Sequence, residues 1–449
     1  MLLATATGAR AQTFVLTAKP PVTTSAPTGN LVLVATAAGR VVATPITAFG
    51  LVSVQAYSST GASTSATTFS VGGTADYLAS ADLDGDGLGD LVVANNQAGT
   101  VQVFYQGAGV TWAAGPTLAA PTGPTRVAVG DLNADGRPDL VATAVDPTGA
   151  QPYPNKLLVG LATGARAYAA PVSYRRASSL GAVTGLAVGD FTGDGRPDVL
   201  LATTAGLSVS PGSAAGTLAT DAFTATPAAY VDLAVADLNA DNRPDLAAAV
   251  QGTAAVHVLL TTSTGLGTPT ALPVAAAAAG IAAADLDADG RPDLVATING
   301  QRGVALLLAT ATGATGQYRA ASYTSPATGS GSWGRVLAGN LAGNGRGDVV
   351  LQDVNAATGG ATVLLVNTAS LATTAQVAAA PLLAWPNPSA GTVELGGLLS
   401  TEQVLVHDAA GRQLPAQRVG SFLTLPAPGF YVVEVHGEAG VRRTRLLVR

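Results

Sequence analysis

Short apolar runs alternate with polar turns through most of the chain, from about residue 22 to residue 375. One unit contains runs at residues 126–130, 140–144, 157–161 and 168–172, each bounded by Gly, Pro, Asn or Asp. Runs of this length and composition are typical of short β-strands, and no segment keeps a 3.6-residue period with helix caps. The pattern predicts one four-stranded antiparallel sheet in each repeat.

Repeated four-stranded sheets of about 50 residues pack around a ring as a β-propeller, which leaves only short sheet edges. Residues 30–39 align with residues 90–99 and add a seventh unit, although residues 22–29 before them contain no acid. We therefore predict an all-β chain with a seven-bladed propeller over residues 1–378. Residues 1–20 would supply outer strands that close the ring.

The composition changes after about residue 378. All four Glu residues lie beyond that point, as do two of the three His. Alternating runs at residues 404–407 and 431–435 predict further strands. The segment 379–449 is thus expected to be a separate small β-sandwich, of a size that can fold alone.

The start of the chain repeats an internal segment. Residues 2–9 match residues 307–314 letter for letter, so the sequence begins inside a repeat unit. A charged leader followed by an apolar core is missing from these residues. We expect the natural N-terminus and an export signal to lie upstream of Met1.

An acidic nine-residue loop recurs six times between apolar runs. Residues 82–90 read DLDGDGLGD, and related loops begin at Asp131, Asp190, Asp237 and Asp285. A sixth loop, which has lost most of the acidic residues, begins at Asn340. The loops begin 47 to 59 residues apart and hold 18 of the 28 acidic residues. Carboxylates at positions 1, 3, 5 and 9 of one turn converge, and a hard cation there relieves their repulsion.

These loops predict calcium binding. Position 6 is Gly in five loops and Asn242 in the other, so a sharp reversal there lets the carbonyl of position 7 face the ion. The predicted ligands of about five structural Ca²⁺ ions are Asp82, Asp84, Asp86, Leu88, Asp90, Asp131, Asn133, Asp135, Arg137, Asp139, Asp190, Thr192, Asp194, Arg196, Asp198, Asp237, Asn239, Asp241, Arg243, Asp245, Asp285, Asp287, Asp289, Arg291 and Asp293. The loop from Asn340 to Asp348 keeps one carboxylate and is not counted among these five sites.

The loops differ from EF-hand loops and from metal-free Asx turns. An EF-hand loop needs an acid at position 12, where this chain has Val93 in the first loop and Ala296 in the fifth. Metal-free Asx turns would leave three or four carboxylates close together in each of five loops. The repeated charge pattern therefore favours metal binding over both.

Charge and composition exclude several classes of function. The 22 basic residues form no stripe, so nucleic acid is not an expected partner. The longest apolar stretch, residues 272–284, is too short to span a bilayer, so no membrane span is expected. The chain has no Cys, and calcium would replace disulfides in closing its turns.

The run VAVGDLNADGRPDLV at residues 127–141 resembles the FG-GAP or VCBS repeat. That family forms calcium-loop β-propellers, including the head of integrin α subunits. The resemblance extends over residues 22–375 and implies that each loop joins the first and second strands of a blade. The Phe-Gly and Gly-Ala-Pro pieces are poorly kept, so nothing specific to integrins carries over.

The tail resembles the C-terminal sorting domain of Bacteroidetes type IX secretion. The matching pieces are residues 385–388 (WPNP, with Trp385 for the more usual Tyr), 406–411 (VHDAAG), 428–431 (PGFY) and the basic, apolar end 442–449. This resemblance implies contact with the type IX machinery and a location outside the cell or on the outer-membrane surface. It also implies that the tail is removed.

A catalytic site is not apparent in the propeller. His257 is its single His and lies in an apolar run, so we interpret it as a half-buried strand residue. A two-carboxylate polysaccharide-degrading enzyme, the alternative function, would have to use acids outside the loops, namely Asp76, Asp146, Asp221, Asp232 and Asp353. We expect a non-catalytic module instead.

Two long inserts suggest where a ligand binds. Residues 146–156 and 323–334 should project from the face opposite the calcium loops, where enlarged loops often carry function. Tyr153 and Trp333 would be aromatic platforms there for a sugar or a protein partner, unless the inserts are merely tolerated at the surface. The sequence thus predicts a glycan- or protein-binding adhesion module.

Overall fold

The computed structural model describes most of the chain. The described residues are 16–18, 22–23, 29–37, 39–58, 60, 62–109, 111–145, 154–176, 181–220, 222–224, 228–301, 303–310, 318–324, 333–343, 346–353, 361–367, 383–385, 392–396, 403–408, 412–414, 417–419, 422–425, 429–437 and 440–448. The chain forms two compact units, Met1–Thr368 and Ala369–Arg449. The predicted boundary at 378/379 lies outside the described residues.

The first unit is built of short strands, numbered along the chain. They are β1 (Leu16–Ala18), β2 (Val22–Thr23), β3 (Val32–Thr36), β4 (Gly39–Ile46), β5 (Leu51–Tyr57), β6 (Ser63–Ser70), β7 (Tyr77–Ala81), β8 (Asp90–Asn95), β9 (Thr100–Gly107), β10 (Thr111–Ala119), β11 (Pro124–Gly130), β12 (Asp139–Val145), β13 (Pro154–Gly160), β14 (Ala162–Gly164), β15 (Ala167–Tyr168), β16 (Val172–Arg175), β17 (Val183–Gly189), β18 (Asp198–Thr203), β19 (Gly206–Ser210), β20 (Ala222–Thr224), β21 (Tyr230–Ala236), β22 (Asp245–Val250), β23 (Ala255–Leu259), β24 (Thr261–Thr262), β25 (Gly265–Leu266), β26 (Thr270–Pro273), β27 (Ala278–Ala284), β28 (Asp293–Ile298), β29 (Gly303–Ala309), β30 (Tyr318–Thr324), β31 (Trp333–Gly339), β32 (Asp348–Asp353) and β33 (Ala361–Asn367). A single 3-10 turn, Thr47–Phe49, is the only helical element among the described residues.

In the described part of this unit, the strands form seven antiparallel sheets of four or five strands. In chain order, sheet 1 is β3-β4-β5-β6, sheet 2 is β7-β8-β9-β10, sheet 3 is β11-β12-β13-β16, sheet 4 is β17-β18-β19-β20, sheet 5 is β21-β22-β23-β26, sheet 6 is β27-β28-β29-β30 and sheet 7 is β31-β32-β33-β1, with β2 also on β33. Two small hairpins, β14-β15 and β24-β25, follow the third strands of sheets 3 and 5. The prediction of four-stranded sheets in the repeats is confirmed.

The first strands of successive sheets contact one another around a ring, and β31 of sheet 7 contacts β3 of sheet 1. An apolar cluster fills each gap between neighbouring sheets. The cluster that closes the ring joins Leu31 and Val42 of sheet 1 to Leu341 and Val350 of sheet 7. The fold is therefore an all-β propeller, as predicted.

Burial changes with position in the sheet, and this explains the sequence pattern. The second strands, such as Asp245–Val250, are buried on both faces because each lies between two neighbouring sheets. A strand buried on both faces reads as a continuous apolar run. The outermost strands, such as Ser63–Ser70, are largely exposed and rich in Ser and Thr.

Sheet 1 differs from the other six. The sequence alignment placed residues 30–39 with second strands, but β3 is the first strand of its sheet and contacts the first strands β7 and β31. Only two residues separate β3 from β4, where the other sheets have nine-residue loops. The alignment was wrong because the VLVAT sequence of β3 is as apolar as that of a second strand, and no acidic loop marks its place in the sheet.

The second unit contains two four-stranded sheets in its described part. Its strands are β34 (Leu383–Trp385), β35 (Thr392–Gly396), β36 (Gln403–Asp408), β37 (Gln413–Leu414), β38 (Gln417–Val419), β39 (Phe422–Thr424), β40 (Gly429–Gly437) and β41 (Gly440–Val448). The strand orders are β34-β35-β39-β38 and β37-β36-β40-β41. Over the described residues of the whole chain, no helix is long and apolar enough to cross a bilayer.

Candidate metal centre

The six acidic loops occupy equivalent places in the fold. Each joins the first strand of a sheet to the second strand, in sheets 2 to 7. All six therefore lie at the same end of the first strands, on one side of the ring. The loops are numbered I to VI below in chain order, from Asp82–Asp90 to Asn340–Asp348, with residues 344 and 345 of loop VI outside the described residues.

The Asp at position 1 organises loops I to V through its carboxylate. In loop V, the Asp285 carboxylate accepts hydrogen bonds from the backbone N–H groups of Asp289 at 3.1 Å and Gly290 at 2.9 Å. Equivalent bonds to positions 5 and 6 recur in the other four loops. The carboxylate at position 5 in turn accepts the N–H of position 7, at 2.8 to 3.0 Å.

Three loops bring carboxylate oxygens from three residues within 4.8 Å of one another. These triplets are Asp82, Asp84 and Asp86 in loop I; Asp237, Asp241 and Asp245 in loop IV; and Asp285, Asp287 and Asp289 in loop V. Loops II and III have no such triplet among the described residues. Position 3 in those loops is a neutral oxygen donor, Asn133 or Thr192, as it is in loop IV with Asn239.

The backbone turns sharply at position 6, as predicted. Gly87, Gly136, Gly195 and Gly290 have φ between 82° and 84°, and Asn242 has φ 64°. Position 4 is also left-handed: Ala134, Ala240 and Ala288 occupy it in three loops with φ near 60°. The sequence did not predict this conformation, because Ala rarely adopts positive φ. Only the Gly at this position in loops I, III and VI gave a signal in the sequence.

The Asp at position 9 is fully buried in every loop and acts as a clamp between strands. In loop V, Asp293 accepts the N–H of Leu286 at 2.9 Å with one oxygen and that of Ala309 at 2.7 Å with the other. The same pair of bonds recurs in the other five loops, at 2.7 to 2.9 Å. Position 9, which the sequence predicts as a metal ligand, therefore also has a structural role.

Position 2 anchors each loop in the apolar core. Its side chain is Leu in five loops and Phe191 in loop III, and each of these side chains is buried. The clamp at position 9 bonds the N–H of this same anchored residue. Contacts within the protein thus hold the acidic turn at both ends without the help of a cation.

Burial alters the acidity of the clamp residues. It raises the pKa of Asp90 and of Asp245 to about 6 and that of Asp293 to about 7, while the backbone N–H bonds oppose the shift. Burial and the neighbouring Asp289 and Asp285 also raise the pKa of Asp287 to about 6. A cation among these oxygens would favour the ionised form and act in the opposite direction.

Arginine side chains neutralise part of the loop charge. The position 7 residues Arg137, Arg196 and Arg291 pair with the position 5 carboxylates of their own loops at 3.0 to 3.7 Å. In loop I, Arg166 from the β14-β15 hairpin of the next sheet pairs with Asp84, its Nε lying 2.7 Å from Oδ2. Its guanidinium also lies over the ring of Tyr105, 4.5 Å from the centroid.

The structure corrects the prediction that Trp333 is an exposed platform for a ligand. This residue begins β31 and is 1% exposed, in an apolar cluster between sheets 6 and 7. A buried indole packs in the core and cannot offer its face to a sugar, so the surface interpretation was wrong. Tyr153 lies outside the described residues.

The structure also describes most of the other residues that the sequence offered as candidates. His257 is half-buried on β23, as expected, with its Nδ1 3.1 Å from the Tyr230 hydroxyl, and burial lowers its pKa. Asp76 accepts hydrogen bonds from the Thr74 hydroxyl and the Asn96 N–H. Asp232 pairs with Arg335 at 3.4 Å. Asp353 ends β32, while Asp146 and Asp221 lie outside the described residues.

The donor set of the loops fits a hard divalent cation. Carboxylate, amide and hydroxyl oxygens converge in a tight turn, and carboxylate oxygens that accept one backbone N–H still have a free lone pair. Calcium prefers six to eight such oxygen ligands. Loops I, IV and V meet the requirement for convergence most directly.

Comparisons with known proteins agree with this repeat structure. A family model for the FG-GAP-like repeat matches residues 82–142, 190–248 and 237–296. No curated protein matches the chain in sequence.

Among solved structures, that of BBS1N in complex with ARL6DN is 12% identical, covers 79% of this chain and 98% of that chain, and has a TM-score of 0.52. A lectin of Agrocybe aegerita that recognises non-reducing terminal N-acetylglucosamine is 14% identical over 67% of this chain and 80% of its own, with a TM-score of 0.47. A protein of Bacteroides fragilis described as a 6-phosphogluconolactonase is 16% identical over 66% and 84%, with a TM-score of 0.45. The first of these supports the fold alone. The chain is therefore a β-propeller that contains FG-GAP-like repeats with acidic clusters able to hold a metal ion.

Proposed function

We propose that this protein is a calcium-stabilised, seven-bladed propeller that works outside the cell as a binding or adhesion module for glycans or proteins. The observation that carries the proposal is the convergence of three carboxylates in repeated loops of one ring of sheets. Proteins with FG-GAP repeats are typically extracellular or surface-exposed, and many bind calcium.

Calcium would act as a structural crosslink. The side chains at positions 1, 3, 5 and 9 of loops I to V would hold it, together with the carbonyl of position 7. Bound calcium supplies positive charge that offsets carboxylate repulsion. The protein also stabilises the loop without the ion, because the buried Asp at position 9 fixes it to the second and third strands.

The second unit is proposed to be a β-sandwich with a type IX sorting role. Its VHDAAG motif begins in β36, where the Asp408 carboxylate accepts the N–H of Arg412 at 2.9 Å and pairs with its guanidinium at 2.8 Å. The basic, apolar end forms β41, which pairs with β40 along its length. Secretion of a reporter fused to residues 369–449, compared with the same fusion lacking β41, tests this role in a cell with type IX export.

Two places on the propeller offer a surface to a ligand. A cleft of about 360 Å³ lies between sheets 4 and 5 and is lined by Phe191, Leu207, Leu259 and Leu266. The other is the end of the ring opposite the acidic loops, where the first strands begin. We propose the latter as the ligand face.

The test is a glycan array probed with the full chain in millimolar calcium and again in excess chelator. Calcium-dependent binding to a defined glycan set supports the proposal. A blank array with folded protein calls for a surface pull-down against proteins. Failure of both assays would contradict the binding function, and release of soluble sugar from a bound polysaccharide would favour the enzyme.

A further inference from the structure

Five of the seven sheets carry a β-bulge at the same place in the first strand. The pairing of first and second strands shifts between Pro124 and Arg126 in sheet 3, and at the equivalent residues of sheets 4 to 7. Bulges re-aim the side chain that follows them and are common next to functional sites. The residue after each bulge lies five positions before the acidic loop.

The residues at this position differ from those around them. In sheets 2 to 7 they are Tyr77, Arg126, Gly185, Asp232, Gly280 and Arg335. The positions two and four residues further along these strands hold only small residues or Leu337. Polar and charged side chains are thus concentrated near the start of the first strands, at the end of the ring opposite the acidic loops.

Four of these side chains form one group, called the axial cluster: Tyr77, Arg126, Asp232 and Arg335. The Arg126 guanidinium lies 4.7 Å from the centroid of the Tyr77 ring. Arg335 of sheet 7 reaches Asp232 of sheet 5 at 3.4 Å, past the glycine of sheet 6 between them. Burial raises the pKa of Tyr77, and the charges of Arg126, Asp232 and Arg335 also act on it, as expected for side chains that lie near one another at the ring axis.

Glycine leaves room for this arrangement. A Cβ at Gly280 would lie 2.6 Å from the carbonyl oxygen of Gly334, so no side chain fits between Asp232 and Arg335. A Cβ at Gly185 would lie 2.4 Å from a methyl group of Leu233. The backbone of sheet 6 still takes part, because Ile281 donates its N–H to Asp232 at 3.1 Å.

The charges of the cluster are not balanced. Two guanidinium groups face one carboxylate, and Asp232 pairs with Arg335. Arg126 donates to the backbone carbonyls of Thr184 at 3.4 Å and Thr125 at 3.2 Å, and no carboxylate of the described residues forms an ion pair with it. A shielded cation without an anion is costly, so this site favours a bound anion.

Neutral polar groups next to the cluster also lack partners. The Thr184 hydroxyl is buried without a hydrogen bond, and so are both amide atoms of Gln352, which lies directly opposite Arg335 in the sheet. Hydroxyl and amide groups of this kind can both donate to and accept from the hydroxyls of a sugar. A peptide would more commonly bind through the backbone of a sheet edge.

We propose that the axial cluster is the ligand site of this module and binds the carboxylate of an acidic sugar through Arg126 and Arg335. This inference rests on the proposed binding function and names its ligand class. Arginine suits the role because its planar fork matches both oxygens of a carboxylate. The side chains of Arg335 and Asp232 are 23% and 13% exposed, so the site opens to solvent.

The test uses the full chain in millimolar calcium and titrates it with oligomers of glucuronate or galacturonate and with neutral oligomers of glucose or galactose. The uronates should bind and the neutral sugars should not. Arg126→Gln should weaken uronate binding by about tenfold or more, since it removes a charge-assisted hydrogen bond. Arg40→Gln, which removes an exposed positive charge elsewhere in the same unit, should change binding less than about twofold.

A second variant keeps the test informative if Arg126→Gln fails to fold. Asp232→Asn removes the competing carboxylate and should tighten uronate binding by several-fold, an effect that misfolding cannot imitate. Equal binding by wild type, Arg126→Gln and Asp232→Asn would overturn the site while leaving the binding function intact. Binding of an Asp-rich peptide but of no uronate would overturn the sugar class, and binding of no ligand at all would contradict the proposed function itself.

Discussion

Single residues of the acidic loops divide into two roles, and Asp289 and Asp293 of loop V represent them. Asp293 is fully buried and bonds two backbone N–H groups, whereas Asp289 lies in the exposed turn within the carboxylate triplet. Replacing Asp293 by Ala leaves two buried donors without partners, at about 1–3 kcal/mol each. We therefore expect Asp293→Ala to lower the free energy of unfolding by about 2–5 kcal/mol both in calcium and in chelator.

Asp289→Ala is the matched variant, because it removes a carboxylate four residues away in the same loop. It should destabilise the protein in calcium and have little effect in excess chelator, where no ion is lost. Urea unfolding of both variants with and without chelator separates the two roles. If chelator abolished the effect of Asp293→Ala as well, position 9 would be a metal ligand without a structural function.

The residue scale also shows what the sequence could and could not reveal. The spacing of acids and the Gly at position 6 were sufficient to locate all six loops. Ala134 in a left-handed conformation gives no sequence signal, since nothing in the residue type marks positive φ. Trp333 was misjudged because it follows a Gly- and Ser-rich run, although it begins a strand whose side chains enter the core.

At the scale of elements, the β14-β15 hairpin couples one sheet to the loop of its neighbour. Arg166 in this hairpin has a left-handed φ of 63° and pairs with Asp84 of loop I. A guanidinium beside a metal ligand repels a cation in the same turn. We expect Arg166→Gln to raise the calcium affinity of loop I by several-fold, and more at low ionic strength than at high.

The matched control for this change is Arg137→Gln, an Arg of similar exposure that pairs with Asp135 of loop II. The part of the terbium luminescence that is lost in Tyr105→Phe reports on loop I, beside which Tyr105 lies, and excludes emission sensitised by Tyr318 next to loop V. The Arg137 variant should leave this signal unchanged. A loop I affinity that is equal in Arg166→Gln and wild type would mean that the hairpin contact does not oppose the cation.

Elements with a distinctive loop were predicted well, and elements without one were not. The six loops identified the first and second strands on either side of them in sheets 2 to 7. In sheet 1 only two residues separate the first strand from the second, with no acidic loop, so the sequence aligns this first strand with second strands. The two added hairpins and the recurring bulges had no signal in the sequence, because pairing register is decided by contacts between distant strands.

At the scale of the whole molecule, stability in the first unit is shared around the ring. Apolar clusters join each sheet to the next, so loss of one loop affects two neighbouring sheets. β1 pairs with β33 of sheet 7, so strands from both ends of this unit belong to the same sheet. Such a unit should unfold as one cooperative body and not sheet by sheet.

Calcium should therefore act on this unit as a whole. An ion that binds only the folded state contributes about 4 kcal/mol per site at a thousand times its dissociation constant. For a unit of this size, that corresponds to ~5 °C in Tm per occupied site. We expect calorimetry of the full chain to show two transitions. The Tm of the first should fall by ~5 °C for each site that chelator empties. The second, from residues 369–449, should not move, because that sequence contains no acidic loop. Restoring calcium should recover the first transition, whereas magnesium at the same concentration should recover less because the smaller ion demands octahedral geometry. A first transition that chelator leaves unchanged would contradict the calcium assignment for all five loops.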